Sequence, residues 1–360
     1  MERFACKTAV VSGKGALSAL GEKKCRRMLV VTEPGKTGGR QIRQIREAAG
    51  NPETVILEDV GVEPTMQQAV AGSREMKEFK PELVVAFGGR SAVDAGKAMV
   101  CFSGVSCSLA AVPAAFGSGW EVTDRVTLTH NGRRHLLRDE KMRPTLAILD
   151  VSLMEAAAGG ETGEGGFELL AAALEAYASC AGGMITDIHA REAFASGWAA
   201  LPAAFAGNEK ARQRLQTASL LTGLAVDRTG LGLCRAMGNS MGAVFGLSRG
   251  KAAAILLPII ISCNAHAAGR RYAELSRAAG LGGSREEIGI RNLKTGLIRL
   301  RRELGLPGTL VQAGVDIRSV WNCGRKIVEL TLEDPECRNN PVAVDDFIVR
   351  RILEEITGRI

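Results

Sequence analysis

Short apolar runs alternate with amphipathic stretches over the first 150 residues of the 360-residue chain. The runs have the length of buried strands, whereas the amphipathic stretches repeat with the period of a helix, as over residues 66–79. Alternating strands and helices favour a largely parallel sheet with helices packed against it. The predicted strands are residues 28–32, 54–57, 83–87, 108–112 and 146–149.

Two further patterns complete the predicted architecture. Residues 125–137 favour a β-hairpin turning at Asn131-Gly132, because this dipeptide suits a type I′ turn. From residue 167 the pattern is helical, and we interpret the glycine-rich residues 159–166 as a linker. We therefore predict an α/β domain at residues 1–160 and an all-helical domain at residues 161–360. Its predicted helices include residues 167–180, 189–205, 208–227 and 344–356.

Composition and charge restrict the class of protein. The chain has nine cysteines without a Cys-x-x-Cys pair, and no apolar stretch follows its first four residues, so we expect a cytoplasmic protein with reduced thiols. The most apolar run, residues 252–261, is too short to cross a membrane. The net charge is +7, yet the basic residues match no nucleic-acid-binding motif. We expect neither a membrane nor a nucleic-acid partner.

Residues 84–97 contain the most informative local pattern. An apolar strand ends in Gly88 and Gly89, and Ser91 is predicted to cap a helix that starts at Ala92. Backbone N–H groups and the positive end of a helix dipole meet at such a turn, so it can bind a pyrophosphate. The alternative is an ordinary connection between a strand and a helix, which two glycines and a serine do not exclude.

Four segments of the chain carry a resemblance to a known family. The sequence resembles the iron-containing (group III) alcohol dehydrogenases in residues 88–97, 112–123, 168–177 and 230–258, in the order and at the spacing of that family. The resemblance implies a dehydroquinate synthase-like fold, with a mainly parallel α/β domain and an all-α domain. It also implies a cofactor and a substrate bound in the cleft between the domains, and we expect a homodimer or larger homo-oligomer.

The resemblance also implies a set of cofactor-binding residues. Glu33 stands at a strand end where NAD-dependent members carry Asp; a carboxylate there accepts hydrogen bonds from ribose and repels a 2′-phosphate, which favours NAD over NADP. Glu33 could instead be a solvated turn residue. Arg90 replaces the third glycine of the family pattern, and Trp120 replaces a small residue and is interpreted as a plug. The implied cofactor-binding residues are Glu33, Gly88, Gly89, Ser91, Asp94, Lys97, Ala115 and Ser118.

The family's metal ligands, one Asp and three His, are replaced in this chain. The Asp position holds Glu168, and the histidine positions hold Ala172, Arg235 and Arg249, while Asn239 replaces a further, non-ligand histidine. One carboxylate beside two arginines does not make a transition-metal site, so we predict no metal. The arginines could polarise a carbonyl or clamp an anionic substrate group, or they could only pair with Glu168 and Glu175.

These observations predict NAD(H)-linked oxidoreduction of an alcohol/aldehyde pair without a catalytic metal. The alternative is a non-catalytic homologue that binds a ligand or a partner protein. The proton donor stays open among Lys251, Glu168, Cys234 and a bound water. The candidate catalytic residues are Arg235, Arg249, Glu168, Asn239 and Lys251.

Overall fold

The computed structural model describes residues 4–35, 39–61, 63–154 and 159–357. Backbone contacts divide the chain into two compact units. One is formed by Ala5–Ala156, and the other by Ala157–Ile360 with Met1–Phe4. Each unit contains one of the two regions in which the sequence predicts chemistry.

A six-stranded parallel sheet forms the centre of the first unit. Its strands are β1 (Ala9–Ser12), β2 (Arg27–Val31), β3 (Glu53–Leu57), β4 (Leu83–Gly88), β5 (Ser108–Pro113) and β8 (Leu146–Leu149), in the spatial order β1-β8-β5-β4-β2-β3. The structure confirms the five predicted strands to within one residue at each end. It adds β1, an edge strand with mostly exposed residues, which no apolar run marks in the sequence.

Helices pack on both faces of this sheet. They are α1 (Arg40–Ala48), α2 (Met66–Phe79) and α3 (Arg90–Ser103). Alternate residues of β2 point to opposite faces, so Met28 and Val30 pack with α1 in one apolar cluster while Leu29 and Val31 pack with α2 and α3 in another. The predicted hairpin is also present, as β6 (Arg125–His130) and β7 (Arg133–Arg138).

The second unit is mainly helical, as predicted. Its helices are α4 (Gly159–Ala178), α5 (Met184–Phe205), α6 (Glu209–Thr229), α7 (Leu233–Phe245), α8 (Arg249–Ala278), α9 (Glu286–Glu303), α10 (Ile317–Glu333) and α11 (Asp346–Ile356). By length and composition α8 could cross a membrane, but 67% of its most apolar window is buried inside the protein. Such burial is typical of a central core helix.

The predicted linker at residues 159–166 is wrong, because these residues form the first turns of α4. The glycines allow helices to approach closely. A Cβ atom on Gly166 would overlap with Leu201 of α5, and one on Gly250 of α8 would overlap with the backbone of Glu164. Glycine is typical of linkers and also of close packing, and the local sequence does not distinguish the two.

Replacing Gly250 by alanine tests this packing. We expect Gly250→Ala to lower the free energy of unfolding by about 1–3 kcal/mol, because the Glu164 backbone must move to admit a methyl group. Gly160→Ala in α4 is the matched control, since no atom lies within 4 Å of its Cβ position. We expect the control to be neutral or slightly stabilising. Equal effects of the two substitutions in chemical denaturation would contradict the packing role.

Candidate functional site

The turn between β4 and α3 is built on two glycines with unusual surroundings. Gly88 has φ of +139°, a conformation that favours glycine. Helix α3 begins at Arg90, with Gly89 as its N-cap residue and without a side-chain cap. The predicted cap by Ser91 is therefore wrong, and Ser91 lies inside the first turn of the helix.

The side chain of Glu33 lies directly on this turn. Its Oε1 atom accepts a hydrogen bond from the Gly89 backbone N–H at 2.6 Å. A Cβ atom on Gly88 would overlap with the Glu33 carboxylate, and a Cβ atom on Gly89 would lie 4.0 Å from Cβ of Ala115. The structure thus brings together four of the predicted cofactor-binding residues, Glu33, Gly88, Gly89 and Ala115, whereas Ser118 is buried at 2% exposure.

Arg90 and Trp120 form one stacked pair. The Arg90 guanidinium lies 3.9 Å from the centre of the indole ring, close enough for a cation–π interaction. Arg90 also donates to Asp94 at 3.3 Å and to Thr127 at 2.9 Å. These contacts hold the guanidinium, and Trp120 is buried beneath it at 4% exposure.

Asp94 and Lys97 contact the polypeptide instead of an exposed binding surface. Lys97 is fully buried, and its Nζ atom donates to Trp120 O, Thr123 Oγ1 and Arg125 O at 2.6–3.2 Å. Asp94 is 1% exposed and accepts from the Thr127 N–H at 3.2 Å. Both residues tie α3 to residues 120–127 and so position the turn, while their direct contact with a cofactor stays a prediction.

A second cluster, in the helical unit, contains Glu168, Ala172, Arg235 and Arg249, the residues that the resemblance predicts at the metal-ligand positions. Arg235 Nη2 donates to Glu168 Oε1 at 2.8 Å, and both side chains are largely buried. The space left between the surrounding side chains is about 10 Å³, room for at most one water molecule, which needs roughly 10–15 Å³. The pocket is lined by Glu168, Ala171, Ala172, Glu175, Cys234, Arg235, Gly238, Arg249 and Ala253.

Side chains from distant parts of the chain hold the N-terminus of α7, and thereby Arg235. Glu175 of α4 accepts from the Cys234 N–H at 2.7 Å, Glu336 accepts from the Leu231 N–H, and Asn340 accepts from the Leu233 N–H. The acceptors of the Leu233 and Cys234 N–H groups satisfy donors that the first turn of a helix leaves without intrahelical partners, whereas Glu336 holds the residue before the N-cap. The sequence analysis did not identify Glu336 or Asn340, because no local signal links them to a helix about 100 residues away.

Burial determines the protonation of this cluster. It raises the pKa of Glu175 to about 7, an effect that the Arg235 charge and the backbone hydrogen bonds oppose. The pKa of Arg235 is raised because its interactions with Glu168 and Glu175 outweigh its burial. Burial also raises the pKa of Cys234 well above its usual range, so this thiol keeps its proton at neutral pH. At 2.8 Å, Glu168 is the direct counter-ion of Arg235.

Two candidate catalytic residues, Asn239 and Lys251, lie outside the lining of this pocket. Asn239 donates to Asp334 at 2.9 Å, and burial raises the pKa of Asp334. Lys251 is 43% exposed and lies 3.5 Å from Glu164. Of the five candidates, Glu168, Arg235 and Arg249 line the pocket.

Potential metal-ligating side chains do not cluster in the described part of the chain. In residues 4–35, 39–61, 63–154 and 159–357, no group of three or more His, Cys, Asp or Glu side chains is placed to hold a metal ion. The histidines lie elsewhere: His130 and His135 on the hairpin, His189 on α5 and His266 on α8.

Comparisons with known proteins cover nearly the whole chain. Residues 7–151 match the iron-containing alcohol dehydrogenase family, and residues 162–357 match the C-terminal part of the Fe-containing alcohol dehydrogenase family. The chain is 29% identical to 1-propanol dehydrogenase PduQ of Citrobacter freundii, over 99% of this chain and 100% of that protein. It is 27% identical to an NADPH-dependent butanol dehydrogenase of Clostridium saccharobutylicum, over 98% and 97% of the two chains.

A solved structure shows the same fold. The iron-containing alcohol dehydrogenase of Thermococcus thioreducens superposes with a TM-score of 0.91 at 25% identity. The superposition covers 99% of this chain and 100% of that one.

A double-mutant cycle tests the Arg235–Glu168 pair. We expect Arg235→Met to lower the free energy of unfolding by about 3–5 kcal/mol, because it leaves a largely buried carboxylate without its counter-ion. Adding Glu168→Gln should recover part of this loss. The free energies of unfolding of the single and double variants are measured by urea denaturation. The control is Arg325→Met, which breaks an exposed pair with Glu329 and should cost about 0.5 kcal/mol or less. Additive effects of Arg235→Met and Glu168→Gln would show that the pair is not coupled.

The raised pKa of Glu175 predicts a pH dependence of stability. The folded protein holds the proton up to about pH 7, whereas an unfolded chain releases it near pH 4.3. Between these values the folded state binds more protons, so stability falls as the pH rises, by at most about 1.4 kcal/mol per pH unit. We expect Glu175→Gln to flatten this decline between pH 5 and 7 in thermal melts, while Glu329→Gln on α10 should run parallel to wild type. A Glu175→Gln curve parallel to wild type would contradict the shift.

Proposed function

The chain belongs to the iron-containing alcohol dehydrogenase family, and we propose from this premise that it is an NAD(H)-linked oxidoreductase that interconverts an aldehyde and its alcohol without a bound catalytic metal. The names of its relatives suggest short aliphatic substrates, since those proteins act as propanol and butanol dehydrogenases. The observation that carries the metal-free part is the 2.8 Å contact of Arg235 with Glu168.

The first unit contributes the cofactor site. The Gly88-Gly89 turn and the N-terminus of α3 fit a dinucleotide, because the left-handed Gly88 lets a pyrophosphate approach the backbone N–H groups. The bound nicotinamide supplies or accepts the hydride. Glu33 favours NAD over NADP, because its carboxylate accepts hydrogen bonds from ribose hydroxyls and repels a 2′-phosphate.

The residues at the metal position do not fit a divalent cation. Glu168, the single carboxylate at a ligand position, is already paired with Arg235. The other ligand positions hold Ala172, Arg235 and Arg249, and the two guanidinium groups would repel a cation. We therefore assign no step of the reaction to a metal ion.

We assign the polarisation of the substrate carbonyl to Arg249; because the pocket that Arg249 lines has room for only one water molecule, this requires the side chains around it to move apart when substrate binds. Arg235 is 7% exposed and is bound to Glu168, whereas Arg249 lines the same pocket and is half-buried. A guanidinium stabilises negative charge that develops on oxygen, but it is a poor proton donor because its pKa lies far above neutrality. We assign the proton to Lys251, which follows Arg249 on α8 and is partly exposed beside Glu164. The two cationic side chains, Arg249 and Lys251, also favour the binding of an anionic aldehyde.

Turnover after removal of metals tests the proposal. The protein is dialysed against a chelator, its iron, zinc and manganese are quantified, and NADH oxidation is followed with propanal, butanal and the anionic aldehyde glyoxylate. We expect less than about one-tenth equivalent of metal, because one paired carboxylate cannot supply a coordination shell. We also expect a turnover that added Fe²⁺ or Zn²⁺ does not raise.

Two variants and a control accompany this experiment. Arg249→Ala should lower kcat about 10²- to 10³-fold if it polarises the carbonyl, and Lys251→Met should lower kcat if Lys251 supplies the proton. Lys210→Met on the exposed surface of α6 should behave as wild type. Near-stoichiometric metal that turnover requires would overturn the metal-free proposal, and failure to reduce any aldehyde with NADH or NADPH would overturn the assignment as an oxidoreductase.

A further inference from the structure

The carboxylate of Glu33 occupies the place where the glycine turn would receive an anion. Oε1 lies 2.6 Å from the Gly89 N–H, and the carboxylate is close enough to Gly88 to exclude a Cβ atom there. Both glycines of the turn therefore contact one internal anion. This contact is independent of the role in ribose binding that the sequence suggests for Glu33.

A carboxylate and a phosphate compete for the Gly88-Gly89 turn because both are anions. The free N–H groups at a helix N-terminus and the positive end of the helix dipole favour a negative charge, whether it belongs to a side chain or to a ligand. Gly89, the N-cap residue of α3, provides no side chain of its own to satisfy these groups. The carboxylate of Glu33 satisfies the Gly89 N–H, and a second anion brought to the turn would be repelled by its charge.

The length of the Glu33 side chain matters for this contact. The resembling NAD-dependent proteins carry Asp at the corresponding strand end, and glutamate is longer by one methylene group. The extra reach allows the carboxylate to extend from the end of β2 to the turn after β4, two strands that are neighbours in the sheet. An aspartate at residue 33 would keep the negative charge beside the ribose position and withdraw from the Gly89 N–H.

We propose that Glu33 is an internal competitor for the diphosphate of the dinucleotide: its carboxylate occupies the Gly88-Gly89 turn in the free protein and is displaced when the nucleotide binds. This inference rests on the proposed cofactor site. Once displaced, the carboxylate is available to the ribose hydroxyls, so one side chain both lowers the affinity for dinucleotides and selects among them. Glu33 is thus a specificity-determining residue that acts at two positions.

Calorimetric titration of NADH and NADPH into three Glu33 variants tests the proposal. In Glu33→Asp we expect about tenfold tighter NADH binding, because the competitor is withdrawn while the charge beside the ribose is kept. In Glu33→Ala we expect both nucleotides to bind more tightly and the preference for NADH to shrink. Glu33→Gln keeps the hydrogen bond to Gly89 without the charge, and its affinity should lie between those of wild type and Glu33→Ala.

A matched control removes a similar hydrogen bond elsewhere in the same unit. Glu82 accepts from the Arg26 backbone N–H at 2.6 Å and is exposed. Glu82→Asp and Glu82→Ala should leave both nucleotide affinities as in wild type. A change of similar size in the Glu82 variants would show that the result comes from loss of a backbone hydrogen bond. It would not then come from removal of the Glu33 carboxylate from the turn.

Inorganic pyrophosphate separates failure of this inference from failure of the proposed function. We expect pyrophosphate to raise the melting temperature of Glu33→Ala and to leave wild type unchanged, each measured against its own ligand-free baseline. Equal shifts in both proteins, with unchanged NADH affinity in Glu33→Asp, would overturn the competition while the cofactor site stands. If no variant binds NADH or NADPH, the proposed function fails, and a pyrophosphate shift confined to Glu33→Ala would still support Glu33 as the occupant of the turn.

Discussion

The buried ion pair between Arg235 and Glu168 is the interaction on which the helical unit depends. A guanidinium taken out of water needs a counter-ion and hydrogen-bond acceptors, and Glu168 supplies the counter-ion and one hydrogen bond at 2.8 Å. Arg235 in turn depends on the N-terminus of α7, which Glu175, Glu336 and Asn340 hold through its first backbone N–H groups. The position of the ion pair therefore depends on the packing of several segments of this unit.

In each unit, a charged side chain of the protein itself lies at the candidate site. In the helical unit a cation of the protein, Arg235, is paired with Glu168 in the pocket that the resemblance predicts to correspond to the metal site. In the α/β unit an anion of the protein, Glu33, lies on the turn where a dinucleotide would place its diphosphate. In both cases an internal charge satisfies the groups that a ligand would otherwise satisfy. The first replacement leaves only about 10 Å³ of space, whereas the second lies on a partly exposed side chain that can be displaced.

Arg90 is held by a network of several side chains. A glycine-to-arginine change at the start of α3 introduces a long cationic side chain next to the binding turn. The structure accommodates it by stacking on Trp120 and by hydrogen bonds to Asp94 and Thr127. The fully buried Lys97 holds the same segment through three acceptors. Arg90 and Trp120, which depart separately from the family pattern in the sequence, thus form one packed unit.

The sequence by itself determined the fold class and the main elements, because period and apolar length are local properties. It predicted five strands, the hairpin at Asn131-Gly132 and a helical second half, and the structure agrees.

Only the tertiary structure decided the roles of residues whose partners are distant in the chain. Glycines that resembled a linker proved to be helix contacts, as at Gly166 against Leu201. Lys97 proved to be internal, and Glu33 proved to reach Gly89, 56 residues away. Burial and counter-ions depend on which elements the fold places side by side, and no local pattern encodes that.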